Sequence, residues 1–245
     1  MTDRDSHKGD EDSTVLIPVN AAEAEDLPVT LVKTLAPLHI VVLGYYLVPN
    51  QAAPEQVRSN HKEEATAAID DAVSQFTDRG AEVESVVVFT HDKDETIDHV
   101  ADEYDVDAVL TPGEYVEELS RVLVPMRGDE NLEKIISFST DLLRQSDVTA
   151  TLYNVAESDG DASHGELLLR GARDRLAENG IDPDRVNWQV DRGDSPGDKI
   201  VTTAQEYDVL IVGESEPSLR ERILGRITGH VVDRVEKPVF VVRDR

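Results

Sequence analysis

The chain has 245 residues, 51 of them acidic against 24 basic, and a formal net charge of -27. A field of that sign repels nucleic-acid backbones and anionic lipid surfaces, which argues against binding to either. The absence of cysteine excludes disulfides, thiolate catalysis and Cys-ligated zinc. The acid is spread along the whole chain and arginine outnumbers lysine. This pattern suits a salt-rich cytoplasm, where screening removes the self-repulsion. No apolar run approaches the ~20 residues of a membrane helix, so no membrane insertion is expected. Residues 1–13 lack the basic and apolar regions of a signal peptide and read as a solvated, disordered acidic tail.

In chain order, Thr14 to Val19 reads as a strand, Leu27 to Leu38 as a helix opened by Asp26 and Pro28, and His39 to Val48 as a strand. Pro54 to Arg79 is a long helical pattern ending at Gly80. Ala81 to Thr90 is a strand, Asp92 to Tyr104 a helix, and Ala108 to Thr111 a strand. Arg121 to Met126 is a short, almost continuous apolar run, as in a strand buried on both faces. Asp129 or Asn131 can cap a helix with Leu132, Ile135, Ile136, Ser139, Leu142 and Leu143 on one face. Val148 to Val155 follows as a strand, Ser163 to Asn179 as a helix closed by Gly180, and Val186 to Val190 as a strand. Asp194-Ser195-Pro196 starts a helix through Glu206. Val209 to Val212 is a strand. A last helix carries Leu219, Ile223, Leu224, Ile227, Val231 and Val235, and Pro238 to Val242 ends the series.

The plan repeats at a spacing of roughly 105 residues. Val15-Leu-Ile-Pro-Val19 recurs as Val122-Leu-Val-Pro-Met126. Ala101-Asp-Glu-Tyr-Asp105 recurs as Ala204-Gln-Glu-Tyr-Asp208, each before a strand ending near a glycine, Gly113 and Gly213. Alternating strands and helices with short connections predict an α/β fold of two tandem doubly wound parallel-sheet domains. Residues 14–119 form a truncated copy lacking the last helix and strand, and residues 120–245 a complete one. Ligands of such sheets bind outside the carboxyl ends of the strands.

At these residues the chain resembles the universal stress protein family in its tandem two-domain form. The resemblance runs from about Thr14 to Arg243 and implies Rossmann-like, adenine-nucleotide alpha hydrolase-like domains. Family members that bind ATP carry an Asp after the first strand and, after the fourth, a glycine loop. That loop reads Gly, two residues, Gly, nine residues, then Gly followed by Ser or Thr. Small residues there let backbone N–H groups approach the phosphates at a helix N-terminus. The positions implied as nucleotide-facing are Met126, Arg127, Val155, Gly213, Ser215, Gly225 and Arg226.

The match is incomplete. Gly213 fits the first glycine, but Glu216 falls on the second and is followed by Pro217. Gly225 closes the loop one residue early, and Arg226 replaces Ser or Thr. The Asp position holds Arg127 in the second copy and Asn20 in the first. Glu214 and Glu216 facing a triphosphate would cost on the order of 1–4 kcal/mol each at effective dielectric 20–80, while Arg127, Arg220 and Arg226 offset part of that.

Other motifs have plainer readings. Arg127-Gly128-Asp129 is a strand-to-helix turn. His91, Asp92, Asp94, Glu95, Asp98 and His99 form a capped acidic helix start, because the two histidines lack helical ligand spacing. His230 is a packed or surface residue, and Trp188 belongs to core or interface. The expectation is a non-enzymatic cytoplasmic binding or regulatory module with a degenerate nucleotide loop, no resident cofactor and no metal. Its expected partners are an unknown protein or a second copy joined through the C-terminal strand. The alternatives are an ATP- or AMP-binding protein with weak or no ATPase activity, using Gly213, Ser215, Gly225 and Arg226, and a regulatory partner of a membrane transporter.

Overall fold

The structure is a computed structural model that describes residues 12–23, 27–114, 118–129, 131–214, 231–232 and 234–244. The first half comprises β1 (Thr14–Asn20), α1 (Val29–Leu35), β2 (His39–Leu47), α2 (Pro54–Thr77), β3 (Val83–Thr90), α3 (Lys93–Glu103) and β4 (Ala108–Thr111). The second comprises β5 (Arg121–Pro125), α4 (Leu132–Arg144), β6 (Thr149–Ala156), α5 (Asp159–Glu178), a 3-10 turn (Pro183–Arg185), β7 (Val186–Arg192), α6 (Pro196–Ala204), β8 (Val209–Gly213) and β9 (Val239–Val242).

The expected α/β order is present, with local corrections. Pro37 stops α1 short of Leu38, because proline supplies no N–H to continue the helix. The helix expected from Ser163 starts at Asp159. The Ser158 hydroxyl accepts from the Asp161 N–H at 3.2 Å, and the acids behind it favour the positive helix end. Asn131 makes no side-chain cap. It sits at φ 56, and its amide donates to the Val242 carbonyl at 2.9 Å, which ties α4 to the last strand.

The described strands form one sheet in the order β3-β2-β1-β4-β9-β8-β5-β6-β7. Each half is parallel within itself, as the periodicity predicts, but β9 runs antiparallel to β4 with Ala108 opposite Val242 and Thr111 opposite Val239. On its other edge β9 pairs parallel with β8. Both edges of β9, the strand expected to join two copies, are paired within the chain. The carboxyl ends of the strands in the two halves point to opposite ends of the sheet, because the halves meet across the antiparallel pair.

One face of the sheet carries α1, α2, α4 and α5 over a hydrophobic core that is continuous through both halves. Phe138 of α4 and Phe240 of β9 meet there at 5.3 Å between ring centroids. The other face has two separate clusters, one under α3 around Leu16, Leu43 and Val100, and one under α6 around Leu123, Tyr153 and Leu210. Among the described residues, no helix is long and apolar enough to cross a membrane.

The repeat is clearer in packing than in sequence. The buried positions of α2 are Ala65, Ile69, Ala72 and Phe76, and those of α5 are Gly165, Leu169, Ala172 and Leu176. Both helices are followed by a glycine at positive φ, Gly80 at 80° and Gly180 at 90°. Asp208 accepts from the Ser120 N–H at 2.9 Å and the Arg121 N–H at 2.8 Å, pinning the start of β5. Its counterpart is not Asp105 but Asp107, which accepts from the Thr14 N–H at 2.9 Å at the start of β1. Two extra residues in the first half hide this match from a sequence comparison.

Candidate functional site

The carboxyl ends of β5, β6 and β8 open onto a cleft closed from the sides by α4 and α6. Met126, Arg127, Tyr153, Asn154, Val155, Pro196, Ile200, Val212, Gly213, Glu214 and Val231 are among its lining residues. The described walls enclose about 130 Å³.

Four of the seven positions implied by the resemblance meet here. Met126 follows β5 and is buried, its N–H donating to the Tyr153 carbonyl at 2.7 Å. The Met126 carbonyl accepts from the Asn154 amide at 2.7 Å, so the floor is tied to β6. Val155 is half-buried beside them, and Arg127 is exposed at the rim. Gly213 ends β8, and a Cβ there would lie 2.9 Å from Ile135 Cδ1. Ser215, Gly225 and Arg226 lie outside the described residues, as do Glu216, Pro217, Arg220, His230 and most of the last helix.

Tyr153 and its partners were not singled out in the sequence. Its ring is fully buried and lines the cleft. The hydroxyl accepts from Thr203 at 3.0 Å and donates to Asp191 at 3.0 Å. Burial is the main cause that pushes the Tyr153 pKa up. The Gln189 amide at 2.9 Å is the main cause that holds Asp191 below the usual carboxylate range, helped by Tyr153 and by Lys199 at 3.3 Å. The hydroxyl is thus held by Thr203 and Asp191 in a cleft wall to which Tyr153 belongs. No local sequence signal could reveal this, since its partners sit 38 and 50 residues downstream.

Glu214 does not simply face the cleft. Its N–H donates to the Val242 carbonyl at 2.7 Å and its carboxylate accepts from the Asp244 N–H at 3.2 Å. Arg243 beside it pairs with Asp102 of α3 at 3.0 Å, so the first half reaches the rim of the second half's cleft. Asp98 of α3 shares this junction and is pushed up to about 6. Desolvation is the main cause; Glu214, Asp102 and Asp94 add to it, and Arg243 opposes it.

The other end of the sheet differs. Asn20 accepts from the Ala22 N–H at 3.1 Å in a local turn. Gly113 does not stand where Gly213 does. Val15 opposes Ala108 and Val122 opposes Val209, which puts Pro112 at the Gly213 register. A Cβ on Gly113 would lie 2.6 Å from the Glu236 carbonyl oxygen, and the Glu114 N–H donates to that same carbonyl. This glycine therefore serves close packing against the segment that enters β9.

The remaining sequence candidates are plain in the structure. The Asp92 side chain accepts from the Asp94 and Glu95 N–H groups as a helix cap, and His91 hydrogen-bonds the Val48 carbonyl at 3.0 Å. Among the described residues, no group of three or more His, Cys, Asp or Glu could hold a metal. Trp188 is 37% exposed on the edge strand β7.

Known proteins place this architecture. A universal stress protein from Archaeoglobus fulgidus is 17% identical with TM-score 0.64, covering 94% of this chain and 98% of its own. A putative universal stress protein from Pseudomonas aeruginosa is 16% identical with TM-score 0.62, over 95% and 93%. A functionally unknown Pseudomonas aeruginosa protein is 16% identical with TM-score 0.59, over 95% and 92%. At such identities the likeness is one of fold. No curated protein matches the chain. The profile of the Universal stress protein family matches residues 118–243, just over half of the chain and nearly all of the second half. With that match on the half that carries the cleft, the chain belongs to the universal stress protein family.

Proposed function

We propose that the chain is a non-enzymatic binding or regulatory module with one ligand-facing cleft, at the carboxyl ends of β5, β6 and β8, and that it is not a conventional ATP binder. The observation that carries this reading is Arg127 at the rim of the cleft, where the resemblance calls for an Asp to orient the nucleoside. Glu214 beside Gly213 and, in sequence, Glu216, Pro217 and Arg226 depart in the same direction. A carboxylate near the phosphates costs on the order of 1–4 kcal/mol, and a proline removes a backbone donor. The first half adds no second cleft in this reading, because the carboxyl end of β4 packs on the Glu236–Lys237 backbone.

Calorimetric titration with ATP and magnesium in molar KCl tests it. The expected result is no saturable binding in the micromolar range; saturable micromolar binding would overturn the reading. One observation favours a second reading, an adenine-nucleotide binder with weak or no ATPase activity. Gly213 retains the small residue at the end of β8, beside an apolar floor of Met126 and Val155. Micromolar ATP binding with slow phosphate release would establish it.

A further inference from the structure

With β9 paired on both sides, the sheet has two outer edges, β3 and β7, and they are built differently. At β7 the chain protects itself. The Arg173 guanidinium donates to the Val186 and Pro183 carbonyls at 3.0 and 2.9 Å, and Asn187, Gln189, Asp191 and Arg192 make the strand polar. Side chains of this kind blunt an edge against pairing.

The β3 edge has no such device. Its sequence, Val83-Glu-Ser-Val-Val-Val-Phe-Thr90, contains one charge, no lysine and no proline, and Val86 to Phe89 are all partly exposed. The Ile40 N–H donates to the Glu82 carbonyl at 2.9 Å and the Val48 N–H to the Thr90 carbonyl at 2.8 Å. Even-numbered residues of β3 therefore bond to β2, and the N–H and C=O of Val83, Ser85, Val87 and Phe89 point away from the sheet. Among the described residues, β2 is the one strand that pairs with β3.

We propose that β3 is the surface through which a second copy of this chain adds, strand to strand and antiparallel, about a two-fold axis midway between the two copies of Val87. The axis must be normal to the sheet for two identical edges to meet, so faces are preserved and outward residues pair with outward residues. Centred on Val87, Val87 opposes its own copy and Ser85 opposes Phe89, each such pair exchanging two backbone hydrogen bonds. On the other face Val86 opposes Val88, and Glu84 opposes Thr90, so within the strand no carboxylate faces another. β-branched and aromatic pairs of this kind stabilise a sheet. A second copy suits the edge because the apolar pattern of the strand matches itself across the axis and its one charge, Glu84, meets a neutral Thr90.

Light scattering or sedimentation in molar KCl tests this, since the -27 charge of each copy needs screening. The expected result is a dimer. Val87→Pro removes an outward N–H that β2 does not use, and Val87→Lys sets two ammonium groups across the axis. Each is expected to give a monomer with an unchanged circular dichroism spectrum, and if the proline variant fails to fold, the lysine variant decides. Trp188→Lys, on the opposite edge, is expected to remain dimeric. A wild-type monomer, a dimer that survives in a folded Val87 variant, or loss of the dimer in Trp188→Lys alone would overturn the proposal.

Discussion

The two halves start from the same plan and end differently. In the second, β8 runs out to Gly213 and the chain continues toward β9, leaving an open cleft beside Met126, Val155 and Tyr153. In the first, β4 stops at Thr111, and Gly113 lies against the backbone entering β9. One strand serves both halves: β9 completes the second sheet in parallel and closes the first in antiparallel. Among the described residues no helix or strand lies between β4 and β5, and β9 fills the edge of β4 that this leaves. A β4 edge without that partner would be a hazard for aggregation.

The largest effect is expected at β9, which both halves share. Phe240 is buried in the core common to both halves and touches Phe138. Phe240→Ala is expected to cost about 3–5 kcal/mol. The loss should appear as a single unfolding transition in urea titrations in molar KCl, reported alike by probes in either half. Two separate transitions, with only the second half weakened, would show that the halves do not share one core.

A smaller effect separates the two glycines. Gly113→Ala sets a methyl group against the Glu236 carbonyl and its neighbouring backbone, which cannot step aside, and is expected to cost about 1–3 kcal/mol. At Gly213 the nearest atom is the end of the Ile135 side chain, so Gly213→Ala should cost less than Gly113→Ala in the same denaturation measurement. The reverse order would mean that the β8 end, not the β4 end, is the tightly packed one.

The smallest effect is at the junction of α3 with the second half. The folded state raises Asp98 from 3.8 to about 6, so between these values it holds more proton than the unfolded chain. The contribution of Asp98 to stability is therefore most favourable below the unfolded pKa and is lost as pH rises through the folded one. Asp98→Asn is expected to stabilise the protein near neutral pH and to flatten the melting-temperature profile between about pH 4 and 6. Asp98 is partly exposed, so solvent screening holds the effect to the order of 1 kcal/mol at most. An unchanged profile would remove Asp98 from the coupling between the halves.

Much of this architecture was legible because strands buried on both faces must be apolar throughout, as Val15-Leu-Ile and Val122-Leu-Val are. Helix positions follow from the same logic, with Ile135, Leu142 and Leu143 turned to the sheet. Met126, Arg127, Val155 and Gly213 were reached through the family resemblance, and the structure brings them together at carboxyl strand ends. Tyr153 was not legible, because its role depends on Asp191 and Thr203 from elements remote in sequence. Gly113 misled for a related reason: a glycine after a strand looks alike whether it serves a ligand or a neighbouring backbone.

The alternation of strands and helices and the charge follow from the sequence alone, because periodicity and composition act locally along the chain. Only the tertiary structure decided where the last strand goes. Its four apolar residues, Val239 to Val242, carry no direction of their own. Their place between β4 and β8 is set by the edge left open in the first half and by a core on one face that neither half completes alone.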